Sequence, residues 1–446
     1  MSALRGATGA MLALLLSGCV NVYHRVDAGP EGKPMSFRGV SHYVIDEKDD
    51  LHVMQVHGMG DHSAGEDCAS GSKNLRLQDK IAKRLHYRPD RSYGSRASQD
   101  IKFDGTVVGS WSVAKYDDVK GDGGTLYFSC ITWGETGGLI KRGMLQLDEN
   151  FLEDNDNERH RAPINRWAKR FVNRSFADPV IYQGPMGAFI RRVVWEGMHK
   201  AYGEHANLLA MRANAGQAQL FALDQLPSSP PRVAIISDSM GSRIVFDAIC
   251  STGGGACGDE ARLEMAPLGE VALLQANERK ERDDRMAERL RGSIRSVYML
   301  ANQLPLLELA NLEVPPNGTS LQDWVSHPRK CYLPPLTPRA TARDQPKGQR
   351  RDIQIVAFTD VNDALSYHLT PEFKARCARL PVDSRTSGTA VSAAPDQDSF
   401  EVSFINVTMP NAKPRWLFVY SDLVKAHSGG FKDNDRAIDY MVFGNP

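Results

Sequence analysis

A serine between small residues at the end of an apolar run is a candidate nucleophile, and Ser237-Asp238-Ser239-Met240-Gly241 holds one. The run before it, residues 233–236 (Val-Ala-Ile-Ile), is continuous and apolar, as expected of a parallel strand covered on both faces. After it, Ile244, Val245, Ala248 and Ile249 recur at helical spacing. A serine on a sharp strand-to-helix turn has its hydroxyl lifted above the sheet edge, and the turn needs small neighbours. Gly241 meets that need on one side; on the other, where glycine is usual, stands Ser237. The helix N-terminus beyond Ser239 favours negative charge developing at a reacting centre. Alone, the same residues also describe an ordinary tight turn with a capping serine.

Other residues complete a chemistry of acyl transfer. His57-Gly58-Met59-Gly60 comes directly after an apolar run at 51–56. It resembles the loop that supplies one backbone N–H of the oxyanion hole in lipases and esterases, where glycine lets the backbone approach a substrate oxygen. The oxyanion hole would then be the N–H of Met240 with one from Met59 or Gly60, in a Gly58–Gly60 loop that binds the oxyanion. His57 and His62 offer a metal site as the competing reading, but their spacing matches no common ligand pattern. Neither metal nor cofactor is expected. After the apolar run 353–358 comes Thr359-Asp360-Val361-Asn362-Asp363, with two carboxylates. Of the twelve histidines, only His368 and His427 lie beyond that acid loop. His368 would share the loop with the acid; His427, in Ala426-His427-Ser428-Gly429-Gly430-Phe431, stands after a further apolar run at 404–407.

These motifs make the chain resemble the α/β-hydrolase superfamily, in its lipase- and esterase-like branch. The resemblance spans roughly residues 50–446, through motifs in matching order rather than continuous similarity. Members place the triad in chain order Ser, then Asp or Glu, then His. The resemblance implies Ser239 as nucleophile and His427 as base, since a histidine before small residues and an aromatic near the C-terminus is what the family shows. It favours Asp363 as acid, because an Asn-Asp pair before an apolar residue resembles the family's acid loop; Asp360 is the alternative, or makes an Asx-turn. The implied reaction is cleavage of a carboxylic ester, lipid-like or small, through an acyl-enzyme. Acyl transfer to an alcohol on the same triad, and an idle hydrolase fold serving as an envelope binding or scaffold protein, are the other readings. One departure is Asp238, where lipases often carry a histidine.

The elements that must position these residues alternate between strand and helix. Apolar runs at 51–56, 126–133, 233–236, 297–300, 353–358 and 404–407 read as strands. Helical spacing appears at Leu75, Ile81, Ala82 and Leu85, and again from Ile164 to about Leu209, where Phe189, Ile190, Val193, Val194, Gly197 and Met198 share one face. This predicts an α/β protein with a mostly parallel sheet flanked by helices, elaborated by helical and loop insertions. The domain is expected at 51–446 with an insertion at about 134–231. In that insertion Trp167, Phe171, Phe176, Val180, Ile181 and Tyr182 make either a lid and acyl pocket over Ser239 or plain core. The alternating charges at 278–285 read as a solvated helix face, and Pro-rich polar stretches near 314–350 and 379–399 as surface loops.

The N-terminus carries an address. Arg5, a short apolar run at 10–16 and Ser17-Gly18-Cys19 describe a secretory signal peptide over residues 1–18. Leu16-Ser17-Gly18-Cys19 resembles the lipobox of bacterial lipoproteins, which implies cleavage before Cys19 and diacylation of its thiol. Val20 carries no retention signal of the aspartate type, which in that family favours the outer membrane, facing periplasm or cell surface. Residues 19–50 then read as a lipidated tether, and the membrane as a partner through the anchor. Six further cysteines, Cys68, Cys130, Cys250, Cys257, Cys331 and Cys377, suit an oxidising compartment. Their pairing stays open, with Cys250–Cys257 the simplest small loop. A net charge of +0 over 446 residues argues against nucleic acid as a partner.

Overall fold

The computed structural model describes residues 24–60, 76–90, 98–153, 171–213, 232–251, 292–309, 352–360, 401–410 and 430–445. Short pieces between them include Asp363, residues 365–370 and His427. Residues 1–23 with Cys19, and His62, Trp167, Cys257 and residues 278–285 lie outside the described residues. So do the Cys250 side chain and nearly all of 314–350 and 379–399.

The strands, in chain order, are β1 (Arg25–Val26), β2 (Phe37–Arg38), β3 (Leu51–Val56), β4 (Tyr87–Pro89), β5 (Gln99–Phe103) and β6 (Thr106–Asp118). Next come β7 (Leu126–Thr132), β8 (Arg232–Asp238), β9 (Ile294–Leu300), β10 (Asp352–Thr359), β11 (Glu401–Thr408) and β12 (Gly444–Asn445). One sheet runs β1-β11-β10-β9-β8-β3-β7-β6-β4, with β5 on β6; β2 and β12 pair separately. From β11 through β7 every pairing is parallel, and the outer pairings are antiparallel. The parallel strands are the apolar runs, because a strand covered on both faces has no solvent side to mark with polar residues.

Helices cover both faces. On one, α4 (Met186–Ala213) and α5 (Gly241–Ser251) pack with Met54, Val56, Ile235, Met299 and Ile355. On the other, α1 (Leu77–Leu85) and α8 (Asp435–Phe443) pack with Val53, Ala234, Tyr298 and Phe358. Each large aliphatic side chain so buried contributes about 1.5–3 kcal/mol relative to exposure. The face predicted from 189–198 is the one α4 buries, with Ile190, Val194 and Met198 fully enclosed.

Two expectations need correction. Residues 24–50 are not a tether. Val40, Tyr43 and Val44 are fully buried, β1 pairs with β11, and the Tyr43 hydroxyl lies 3.0 Å from Ser296 Oγ. A few apolar side chains among many polar ones join the core on the α1 and α8 face of the sheet. The helical stretch expected from Ile164 is also interrupted: a π-helical turn at Val172–Phe176 leads into α3 (Ala177–Gln183), and Gly184-Pro185 separates that from α4, since proline removes a helical donor. Tyr182 is buried while Val172, Phe176 and Val180 are exposed, so this segment contributes both core and surface.

One buried titratable group carries a stability prediction. His52 on β3 is fully enclosed, its Nε2 lies 2.6 Å from Ser129 Oγ, and desolvation lowers its pKa to about 3. Folded His52 therefore stays neutral while the unfolded residue protonates below its ordinary value near 6.5, so stability is full above that value and falls as pH drops towards about 3. Between neutrality and pH ~5 the loss is roughly 2 kcal/mol. Urea titrations should show wild type losing about that much more over this interval than His52→Gln, which keeps a polar partner for Ser129 without titrating.

Candidate active site

Six parallel strands end at one edge of the sheet, and the candidate polar residues lie just beyond those ends. β3 leads into His57, β8 into Ser239, β9 into Gln303, β10 into Asp363, and His427 comes after β11. From β3 the chain passes to β7 on one side and then to β8 on the other. This reversal puts a topological switch point beyond the carboxyl ends of β3 and β8, the place where open α/β sheets bind ligands.

Ser239 sits between β8 and α5 with φ +54°, a left-handed conformation that strains a non-glycine residue by about 1–3 kcal/mol. Its N–H donates to Leu300 O at 2.7 Å, and its carbonyl accepts from Ser242 N–H at 3.1 Å. Ser237, standing where glycine is usual, is fully buried and donates to Ser242 Oγ at 3.2 Å, so the turn accommodates its hydroxyl. Gly58 and Gly241 are required by contact. A Cβ on Gly58 would lie 2.6 Å from Asp238 O and 2.7 Å from Ser239 Cβ; one on Gly241 would lie 2.6 Å from His57 O. The two turns are pressed together backbone to backbone. Gly58→Ala should therefore displace the loop and lower kcat on an activated ester by about 10²-fold, with a cooperative thermal transition retained; unchanged kcat would contradict the contact's importance.

The structure brings Ser239, His427 and Asp363 into one hydrogen-bonded chain. Ser239 Oγ lies 2.7 Å from His427 Nε2, and His427 Nδ1 lies 2.8 Å from Asp363 Oδ2. A carboxylate at Nδ1 assigns the ring proton there and leaves Nε2 to accept from the serine hydroxyl. All three are buried, Ser239 to 4 % exposure. Asp363 Oδ1 also accepts from Leu365 N–H at 2.9 Å, which fixes the carboxylate. Asp360 is not bonded to His427; its carbonyl accepts from Asp363 N–H at 3.1 Å and its N–H donates to Ser366 Oγ at 3.3 Å, shaping the turn that presents Asp363. His368 lies elsewhere, 2.6 Å from Thr408 Oγ1, with burial lowering its pKa.

The His57–Gly60 loop is held from both sides. Trp133 N–H donates to His57 Nε2 at 3.0 Å, Trp133 Nε1–H donates to His57 O at 3.2 Å, and the rings stack. With Nε2 accepting, Nδ1 donates to Gly58 O at 2.8 Å. Both ring nitrogens of His57 are thus used by peptide groups, which leaves no lone pair for a metal. Gly60 N–H, one of the two expected loop donors, is engaged instead by Asp178 Oδ2 at 2.7 Å. Asp178 on α3 is fully buried, and its other oxygen lies 2.9 Å from Lys141 Nζ on the helix Gly134–Glu153. Met59 packs half-buried against the core. Among the described residues nothing accepts from Met240 N–H.

Four further residues shape the surroundings of Ser239 without a motif to announce them. Asp178 and Lys141 form the buried pair behind the loop. Lys432 Nζ lies 3.0 Å from Asp238 Oδ2, so the charge beside the nucleophile is neutralised by the segment just after His427. Gln303 Nε2 lies 3.1 Å from His427 Nε2. Such residues leave a weak trace, a polar side chain at the end of an apolar run. Gln303, three residues beyond β9, is the one that pattern could have marked.

No protein-family model matches the chain, and neither the curated proteins nor the solved structures contain a significant match to it. The functional reading therefore rests on the residues themselves.

Proposed function

We propose that the protein is a serine hydrolase that cleaves carboxylic esters on an α/β-hydrolase fold. The observation that carries this reading is the Ser239–His427–Asp363 chain, with its serine in a strained left-handed turn between β8 and α5. A strained residue persists only where its surroundings impose it, and such strain clusters at functional sites.

In this reading His427 Nε2 takes the Ser239 proton as Oγ attacks the ester carbonyl. Asp363 holds the imidazole in the required tautomer and stabilises the imidazolium. The oxyanion meets the N–H of Met240 at the N-terminus of α5 and that of Met59 in the loop. Asp178 engages Gly60 and so steadies the loop from behind. His427 then protonates the departing alcohol, and water resolves the acyl-enzyme by the same steps reversed.

We further propose that the chain is an envelope lipoprotein anchored at Cys19. Cys130 is disulfide-bonded, which suits an oxidising compartment; its partner side chain lies outside those described. No helix among the described residues is long and apolar enough to cross a membrane. The exposed apolar stripe Val172, Phe176 and Val180 flanks the element that holds Gly60 and suits a lipid-like ester. The test is release of p-nitrophenol from short- and medium-chain acyl esters by the purified full-length chain in detergent. Turnover above the buffer rate is expected, and its absence across the series would count against esterase activity.

A further inference from the structure

Gln303 is 1 % exposed, and its amide nitrogen stands 3.1 Å from His427 Nε2, the atom that would collect the proton. Its amide oxygen is buried without a hydrogen-bond partner among the described residues. A buried acceptor left unpaired is unfavourable, and this one belongs to a side chain in contact with the proton-transferring nitrogen, which calls for a partner that arrives during the reaction. The side chain is also firmly presented. Ala301 takes φ +49°, and Asn302 ties the turn to the acid loop, donating from Nδ2 to Tyr367 O at 2.8 Å and accepting at Oδ1 from Leu304 N–H at 3.1 Å.

We infer that Gln303 is a further catalytic residue, holding the water that resolves the acyl-enzyme. The inference rests on the serine-hydrolase reading and deepens it. In the resting site the single in-plane lone pair of His427 Nε2 is shared by Ser239 O–H and Gln303 N–H. Once Oγ is acylated the serine has no proton to offer, and a water takes its place against Nε2. A half-turn of the Gln303 amide exchanges its nearly isosteric ends and sets the oxygen towards that water. The water then makes one hydrogen bond to Nε2 and the other to Gln303 Oε1, and only the proton facing Nε2 is transferred. Its oxygen attacks the acyl carbon as the first O–H bond breaks, the bond from carbon to Ser239 Oγ breaks, and His427 returns the proton to Oγ. The products are a carboxylic acid and free serine. Gln303 neither gains nor loses a proton; it fixes the direction of the water's lone pair.

Gln303→Met removes both hydrogen-bonding ends at similar length, and Gln303→Leu is a second variant should the first fail to fold. Full-length wild type and variant are compared in phosphonate labelling rate, burst amplitude and steady-state kinetics on a p-nitrophenyl ester. Deacylation limits kcat but not kcat/KM. The variant should label at the wild-type rate, show a burst of one p-nitrophenol per active site, and lose on the order of 10²-fold in kcat with a matching fall in KM. A parallel drop in labelling and kcat/KM, or an unchanged kcat, would overturn the role. Wild type that does not label at all would overturn the hydrolase reading itself, a result distinguishable from either.

Discussion

Replacing Ser239 with alanine should abolish ester turnover, lowering kcat by about 10⁴- to 10⁶-fold while leaving the fold intact. Oγ is the atom that would form the acyl bond, and its only hydrogen-bond partner among the described residues is His427 Nε2. Deleting it leaves an imidazole with no alcohol to activate. The oxyanion donors are backbone groups and remain, so a residual rate above buffer is compatible with a lost nucleophile. The left-handed backbone at Ser239 admits alanine at a similar strain, so the melting temperature should change little. Measured together, kcat and the thermal midpoint separate a lost nucleophile from a lost fold; a variant that keeps even a tenth of wild-type turnover would place the chemistry elsewhere.

Asp363→Asn should be nearly as severe, on the order of 10⁴-fold in kcat. The carboxylate accepts from His427 Nδ1 at 2.8 Å and so keeps the Nε2 lone pair pointed at Ser239. An asparagine can turn its NH₂ towards Nδ1, which moves the ring proton to Nε2, where it blocks the serine. Asp360→Asn should stay within a few-fold of wild type, because it is Asp363 and not Asp360 that bonds the His427 ring. Turnover lost at Asp360 and kept at Asp363 would reverse the assignment. Phosphonate labelling of the two variants should show the same ranking, since it depends on the same activated hydroxyl.

Much of this is legible in the sequence because buried parallel strands are written as uninterrupted apolar runs. Residues 51–56, 233–236 and 353–358 fall on β3, β8 and β10, and the residues just past each run gather at the same sheet edge. Order along the chain thus becomes proximity for Ser239, Asp363 and His427. Long-range polar pairs leave no such mark. Asp178 meets Gly60, and Lys432 meets Asp238, only because α3 and the segment after His427 pack against the turns at the ends of β3 and β8. β6, at Thr106–Asp118, shows no apolar run because several of its residues are polar or half-exposed and Gly109 breaks its pattern. Residues 24–50 look like a tether for a related reason: their few apolar residues have no period, and the edge of the sheet gives them a place.

The central claim, that Ser239 is an activated nucleophile, is tested most directly by mapping a fluorophosphonate adduct on the full-length chain by mass spectrometry. One phosphonylated peptide is expected, the one containing Ser239, with labelling lost in His427→Ala. An unmodified protein, or an adduct on another serine that survives Ser239→Ala, would contradict it.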